Sequence, residues 1–231
     1  MKGPSPIFEG EMGFWNQVSG TFDLKLGDGR SEPFKVAETS IKNYPVEYHA
    51  MSAVEAALRA RERMSADQID SVEIETFTAA YTIIAKDPEK WDPRTRETAD
   101  HSLPYIVAAA LVDGSVTLDT FDKVKIRDER IRSLLRRTKV AVSPEHDKKY
   151  PKGIPNTVRL IGKDGMRVEE TVTYPLGHYK NPMGRAQIDH KFNELTKELL
   201  GEERAHEILD ALWNIDNEDL EEIMALLRGV R

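Results

Sequence analysis

The segment from Ser102 to Gly114 is the most tightly specified stretch of this 231-residue chain. Serine is a favoured helix N-cap, proline is accepted in a first turn, and glycine is the usual C-terminal stop. Ser102, Pro104 and Gly114 therefore predict a helix between them, with Ile106-Val-Ala-Ala-Ala-Leu inside it. Its alanines let neighbouring backbone come close. Its start carries a carboxylate, an imidazole and a phenol within six residues, as Asp100, His101 and Tyr105. The positive end of a helix dipole favours an anion there. The residues alone leave two readings: a site for an anion, or a capped core helix whose polar groups only satisfy its first turn.

Composition narrows the choice. The net charge of −7, with 32% of residues charged, argues against a general nucleic-acid surface, so an anionic substrate would need a local cationic cluster. There is no cysteine, which excludes disulfides, thiolate zinc sites and cysteine-held iron–sulfur clusters. No apolar run approaches about 18 residues and no leader pattern opens the chain, so the expectation is a cytoplasmic protein without membrane contact.

Along the chain, residues 7–26 hold Phe8, Met12, Phe14, Trp15, Phe22, Leu24 and Leu26 with few signs of regular structure, and Gly27-Asp28-Gly29 reads as a turn. The chain looks extended up to Pro45, and a helix is predicted over 46–64 from Met51, Val54, Leu58 and Met64. Val72, Ile74 and Thr76 alternate with glutamates as a strand. Residues 86–97 read as a charged, proline-punctuated loop without structure of its own. A basic helix is predicted over 127–137 with its arginines in solvent, followed by a short strand at Val140 and Val142. Val158 and Leu160 should pair with Val168, Val172 and Tyr174 across an Asp164-Gly165 turn. From Gly184 only helices are expected, with Ile188, Phe192, Leu195, Leu199, Ile208, Leu209, Leu212, Trp213, Leu220, Ile223, Met224 and Leu227 on their inner faces. The fold class is α+β: a small mixed lid-like domain with strands and a hairpin over 40–178, flanked by helical segments, 1–39 and 179–231, that belong to an all-α domain.

Four segments, taken together, carry a resemblance. Thr98-Ala-Asp-His-Ser-Leu-Pro-Tyr105 with its alanine-rich helix, Gly3-Pro4 through Phe8-Glu9-Gly10, Lys42-Asn-Tyr-Pro-Val-Glu-Tyr-His49 and Gly177-His-Tyr-Lys-Asn-Pro182 resemble, in order, motifs of the C-terminal half of the MmgE/PrpD family. The resemblance implies a metal-independent hydro-lyase that dehydrates a 2-methylcitrate-like tricarboxylic acid, with no cofactor. It also implies a helical N-terminal half, in the same protein or a separate chain, and a homodimer. A family decarboxylase or epimerase acting on a related polycarboxylate is an alternative, as is a non-catalytic assembly remnant. The family's decarboxylase carries a histidine where Glu47 stands, which weakens that branch.

Dehydration next to a carboxylate needs a base, a proton donor for the departing hydroxide, and cations for several carboxylates. By resemblance, Lys42 anchors a substrate carboxylate, His101 acts as base, acid or donor, and Tyr105 protonates the leaving hydroxide or holds a carboxylate. His49, His178 and Lys180 are further candidates for holding substrate. Glu47 needs no function at a helix start, because the dipole alone favours an acid there. The competing assignments are ordinary: a surface lysine, a histidine completing a turn, and a packed aromatic with its hydroxyl satisfied.

Overall fold

A computed structural model describes residues 7–23 and 34–228. Gly3, Pro4, Leu24, Leu26 and the Gly27-Asp28-Gly29 turn lie outside the described residues. The chain divides into two compact units, Met1–Thr39 and Ser40–Arg231.

In the first unit, Trp15–Ser19 form a single wide helical turn and Lys35–Glu38 a tight one. Its aromatic rings meet edge-on or tilted, Phe8 against Phe14 and Trp15 with centroids 6.2 Å apart and Trp15 against Phe22 at 6.0 Å. Phe8, Phe14 and Phe22 keep an exposed side.

The second unit is built on a four-stranded sheet and a pair of helices. Its elements are α1 (Met51–Arg61), β1 (Ile69–Thr76), α2 (Thr78–Ile84), α3 (Arg96–Asp100), α4 (Leu103–Asp113), α5 (Lys123–Ile126) and α6 (Glu129–Leu135). They continue with β2 (Thr138–Val142), α7 (Pro144–Asp147), β3 (Asn156–Gly162), β4 (Arg167–Val172), α8 (Arg185–Leu200), α9 (Glu202–Trp213) and α10 (Leu220–Leu227). The sheet order is β2-β1-β3-β4, with β1 parallel to β2 and antiparallel to β3. The β3–β4 hairpin turns at Gly165, whose φ of 84° suits only glycine without strain. Leu160 faces Val168 as the alternation predicts, whereas Val172 pairs with Asn156 and Tyr174 falls beyond the strand.

One sheet face, carrying Val72, Ile74, Val158, Leu160 and Val168, is buried, and α1 packs on β3 and β4. On the other face Glu73 and Glu169 both stand directly across from Arg159 in register. Arg159 reaches Glu73 at 3.1 Å and Glu169 at 2.6 Å.

Helix α1 also packs on α4, and the two run side by side in the same direction. Near their starts the Glu47 amide donates to the Asp100 carbonyl at 3.0 Å; near their ends the Arg61 Nε donates to the Leu111 carbonyl at 2.8 Å. Ala53, Ala56, Ala57 and Ala60 on α1, and Ala108, Ala109 and Ala110 on α4, are wholly buried. Helix α4 begins at Ser102, whose hydroxyl accepts the Tyr105 amide, and ends at Gly114 with φ 75°, as its sequence predicts.

Several expectations need correction. The helix predicted over 46–64 starts later, because Tyr48–Ala50 form a tighter turn ahead of α1. The 86–97 loop has structure of its own, a turn over Pro88–Trp91 and the start of α3. Arginines of the basic helix are not all in solvent: Arg132 pairs with Asp92, and Arg137 donates to the Ile69 carbonyl at 3.0 Å. In the terminal helices Ile208, Leu209 and Ile223 are buried, whereas Leu195, Leu199, Leu220 and Met224 are exposed.

Removing the Ser102 hydroxyl leaves a first-turn N–H of a buried helix without its acceptor. Ser102→Ala is expected to lower unfolding stability by about 1 kcal/mol, read as a shift of the denaturant midpoint at unchanged slope.

Candidate functional site

The residues with chemistry gather on the approach to the two parallel helices. Segment 40–49 leads into α1 and is tied down at both ends. At its start the Ile41 amide donates to the Gly177 carbonyl at 2.8 Å, and the Ser40 hydroxyl accepts from the Tyr48 hydroxyl at 3.1 Å and the Tyr179 amide at 3.3 Å. Gly177 has φ 89°, and a Cβ there would stand 2.0 Å from the Ile41 oxygen, so the contact needs glycine. Glu55 of α1 accepts the Leu176 amide at 2.8 Å, which fixes the same loop to the helix. At the other end stands the Glu47–Asp100 backbone bond.

Lys42 lies exposed on this segment and makes no ion pair or hydrogen bond with the described residues. Five residues on, the Glu47 carboxylate takes two bonds from His49, the backbone amide at 2.9 Å and ring Nδ1 at 2.8 Å. Both side chains are nearly enclosed. Burial pushes the Glu47 carboxyl up, but the hydrogen bonds and charge of His49, with the charge of His101, outweigh it and hold the carboxyl below its ordinary range. The His49 ring is packed against Phe77 and Tyr150, centroids 5.2 and 5.7 Å away, and those two rings stack on each other at 4.7 Å. The Asn156 amide, from β3, donates to the His49 carbonyl and to the Ser52 hydroxyl, both at 2.8 Å.

Across the Glu47–Asp100 bond stands a second imidazole–carboxylate pair, His101 Nδ1 to Asp100 Oδ1 at 2.6 Å. His101 is about half exposed, at 46% of its side chain. The two pairs therefore occupy neighbouring helix approaches.

His178 is buried between Tyr174 and Tyr179, at 5.0 and 4.6 Å, and its Nδ1 accepts the Lys180 amide at 3.1 Å. Burial, with the charge of Lys180, pushes its imidazole below the ordinary histidine range. The Lys180 ammonium lies 4.9 Å from the Tyr174 ring centre and 5.5 Å from that of Tyr179, and the Tyr174 hydroxyl holds it above the ordinary lysine range. The Ile41–Gly177 bond attaches this loop to the segment bearing Lys42.

Tyr105 stands apart. Expected as a catalytic phenol, it is 1% exposed and donates its hydroxyl to the Thr120 carbonyl at 2.7 Å. Burial, with the charges of Asp113 and Asp128, pushes the phenol well above the ordinary tyrosine range. It is a packed aromatic with a satisfied hydroxyl. Sequence reasoning also passed over Glu47 as a partner of His49, although the two-residue spacing was legible, and over Asn156, Phe77 and Tyr150, whose contacts are distant in sequence. Among the described residues no three histidine, aspartate or glutamate side chains gather as a metal-ligand set.

Residues 44–216 match the MmgE/PrpD C-terminal domain. This chain belongs to the MmgE/PrpD family. It is 33% identical to the 2-methylcitrate dehydratase of Escherichia coli K12 over 146 residues, 59% of this chain and 30% of that protein. It is 29% identical to the mitochondrial 2-methylcitrate dehydratase of Yarrowia lipolytica over 196 residues, 80% of this chain and 37% of that protein. It is also 29% identical to the alkylcitrate dehydratase phiI of a fungal species over 227 residues, 88% of this chain and 43% of that protein. The chain thus spans less than half the length of these curated relatives. No helix among the described residues is long and apolar enough to cross a membrane.

Two expectations separate the buried phenol from the ionisable pairs. Tyr105→Phe leaves the Thr120 carbonyl without its donor and should cost about 1–3 kcal/mol in chemical denaturation. Glu47 has a folded pKa below its unfolded one, so its contribution is present above the ordinary carboxylate range and lost as pH falls through the depressed value. Acid titration of unfolding stability should therefore show a limb in that range that Glu47→Gln flattens.

Proposed function

We propose that this chain is the C-terminal portion of a hydro-lyase that dehydrates a 2-methylcitrate-like tricarboxylic hydroxy acid, completed by a helical N-terminal half. The observation that supports it is the pairing of two imidazole–carboxylate dyads, Glu47–His49 and Asp100–His101, on parallel helix starts joined by the Glu47–Asp100 bond. Two helix N-termini side by side favour a polyanion. Lys42, uncommitted on the adjoining segment, supplies a cation for one substrate carboxylate, and Lys180 on the attached loop supplies a second.

The chemistry follows from those parts. An imidazole with a carboxylate on Nδ1 presents Nε2 to a substrate and can take a carbon-bound proton or return one to a departing hydroxide. His101, the more exposed, is suited to that exchange, while His49, enclosed by aromatic rings, is suited to accept the hydrogen of the substrate hydroxyl on Nε2. Tyr105 has no part in the proposed reaction. The named dehydratase relatives support this reading, and a carboxylate at position 47 favours it over decarboxylation.

A thermal-shift series with 2-methylcitrate and citrate tests the proposal. A saturating acid at about 100 times its dissociation constant should stabilise the chain by about 2.7 kcal/mol. Lys42→Ala should weaken affinity by about tenfold or more. The absence of a shift with any polycarboxylate would overturn the dehydratase reading in favour of a non-catalytic assembly module.

A further inference from the structure

The Glu47 carboxylate does more than cap a turn. A cap needs one oxygen, yet both oxygens are committed to the same residue, Oε2 to the His49 amide at 2.9 Å and Oε1 to ring Nδ1 at 2.8 Å. A carboxylate oxygen held in its ionised form only accepts, so Nδ1 must carry the hydrogen. The carboxylate stays ionised because its pKa lies below the ordinary range. Phe77 and Tyr150 then fix the ring's position, and Nε2 has no hydrogen-bond partner among the described residues. The backbone of the same residue is held from the far side by Asn156.

We propose that Glu47 is a positioning residue that locks His49 as the Nδ1–H tautomer and so turns an unprotonated Nε2 outward as the atom that meets the ligand. The inference rests on the citrate-site reading only for what Nε2 meets; the lock is a property of the free protein. The geometry also says how the lock fails. Glutamine has one oxygen, and the backbone amide of His49 requires it at the Oε2 position. Its NH2 group then faces Nδ1 and donates to it, which forces the hydrogen onto Nε2. Alanine removes both bonds and leaves the tautomer to solvent.

Long-range proton–nitrogen correlation NMR on the full-length chain, at a pH where the imidazole is neutral, reads the tautomer directly. A His49→Gln sample assigns the signal. In the wild type His49 should show a protonated Nδ1 and an unprotonated Nε2. Glu47→Gln should convert it mainly to the Nε2–H form, and Glu47→Ala should give a mixture, whereas the His101 pattern set by Asp100 should persist in both. A wild-type His49 protonated on Nε2 would overturn the lock without any variant. So would a tautomer that is the same in all three proteins. Affinity for 2-methylcitrate should fall about tenfold in Glu47→Gln. If the wild type shows the lock yet binds no polycarboxylate, the positioning role stands and the citrate-site reading falls.

Discussion

The close, parallel packing of α1 against α4 is the constraint on which the rest of the second unit depends. Helix axes come nearest where the facing side chains are small, and both helices are rich in wholly buried alanines. Parallel alignment places their starts together, so the segments entering them, 40–49 and 98–102, meet through one backbone hydrogen bond. The imidazole–carboxylate pairs stand there because each belongs to the approach of one helix. A bulky residue in the seam would separate the pairs without touching either of them.

The second constraint is the loop around Gly177. It binds the start of segment 40–49 on one side and α1 on the other, so Lys42 emerges from backbone held at both ends. A lysine on a constrained segment loses less main-chain freedom on binding an anion than one on a loose loop. His178 packs within this loop between two tyrosines. Its Nδ1 accepts the Lys180 amide, which ties the two residues within the loop.

Features whose cause is local were legible in the sequence. Ser102 and Gly114 bound α4 as their chemistry requires, and Asp164-Gly165 turned the hairpin. Features whose cause is distant were not. Helix α2 has no cap in its own sequence: the Asp147 carboxylate, 69 residues later, accepts the Thr78 amide at 2.6 Å and its hydroxyl at 2.8 Å. The destination of the Tyr105 phenol depends on Thr120, which no helical spacing reveals. Lys42, His49 and His101 were singled out through motifs, and the Glu47–His49 contact was passed over because a helix start already gave an acid a reason to be there. Membership in the family explains why the motifs recur together; the packing of α1 on α4 explains how two of them come to adjoin.

The salt-bridged face of the sheet has a consequence for folding fidelity. Arg159 stands opposite Glu73 on one neighbour and Glu169 on the other, so a single guanidinium reports on the alignment of three strands at once. Sliding β3 by one residue would turn that cation into the apolar layer beneath α1 and strand two carboxylates outside. Misaligned sheets are thereby made electrostatically costly as well as poorly packed, and the arginine works as a ratchet tooth that admits one alignment of the central strands.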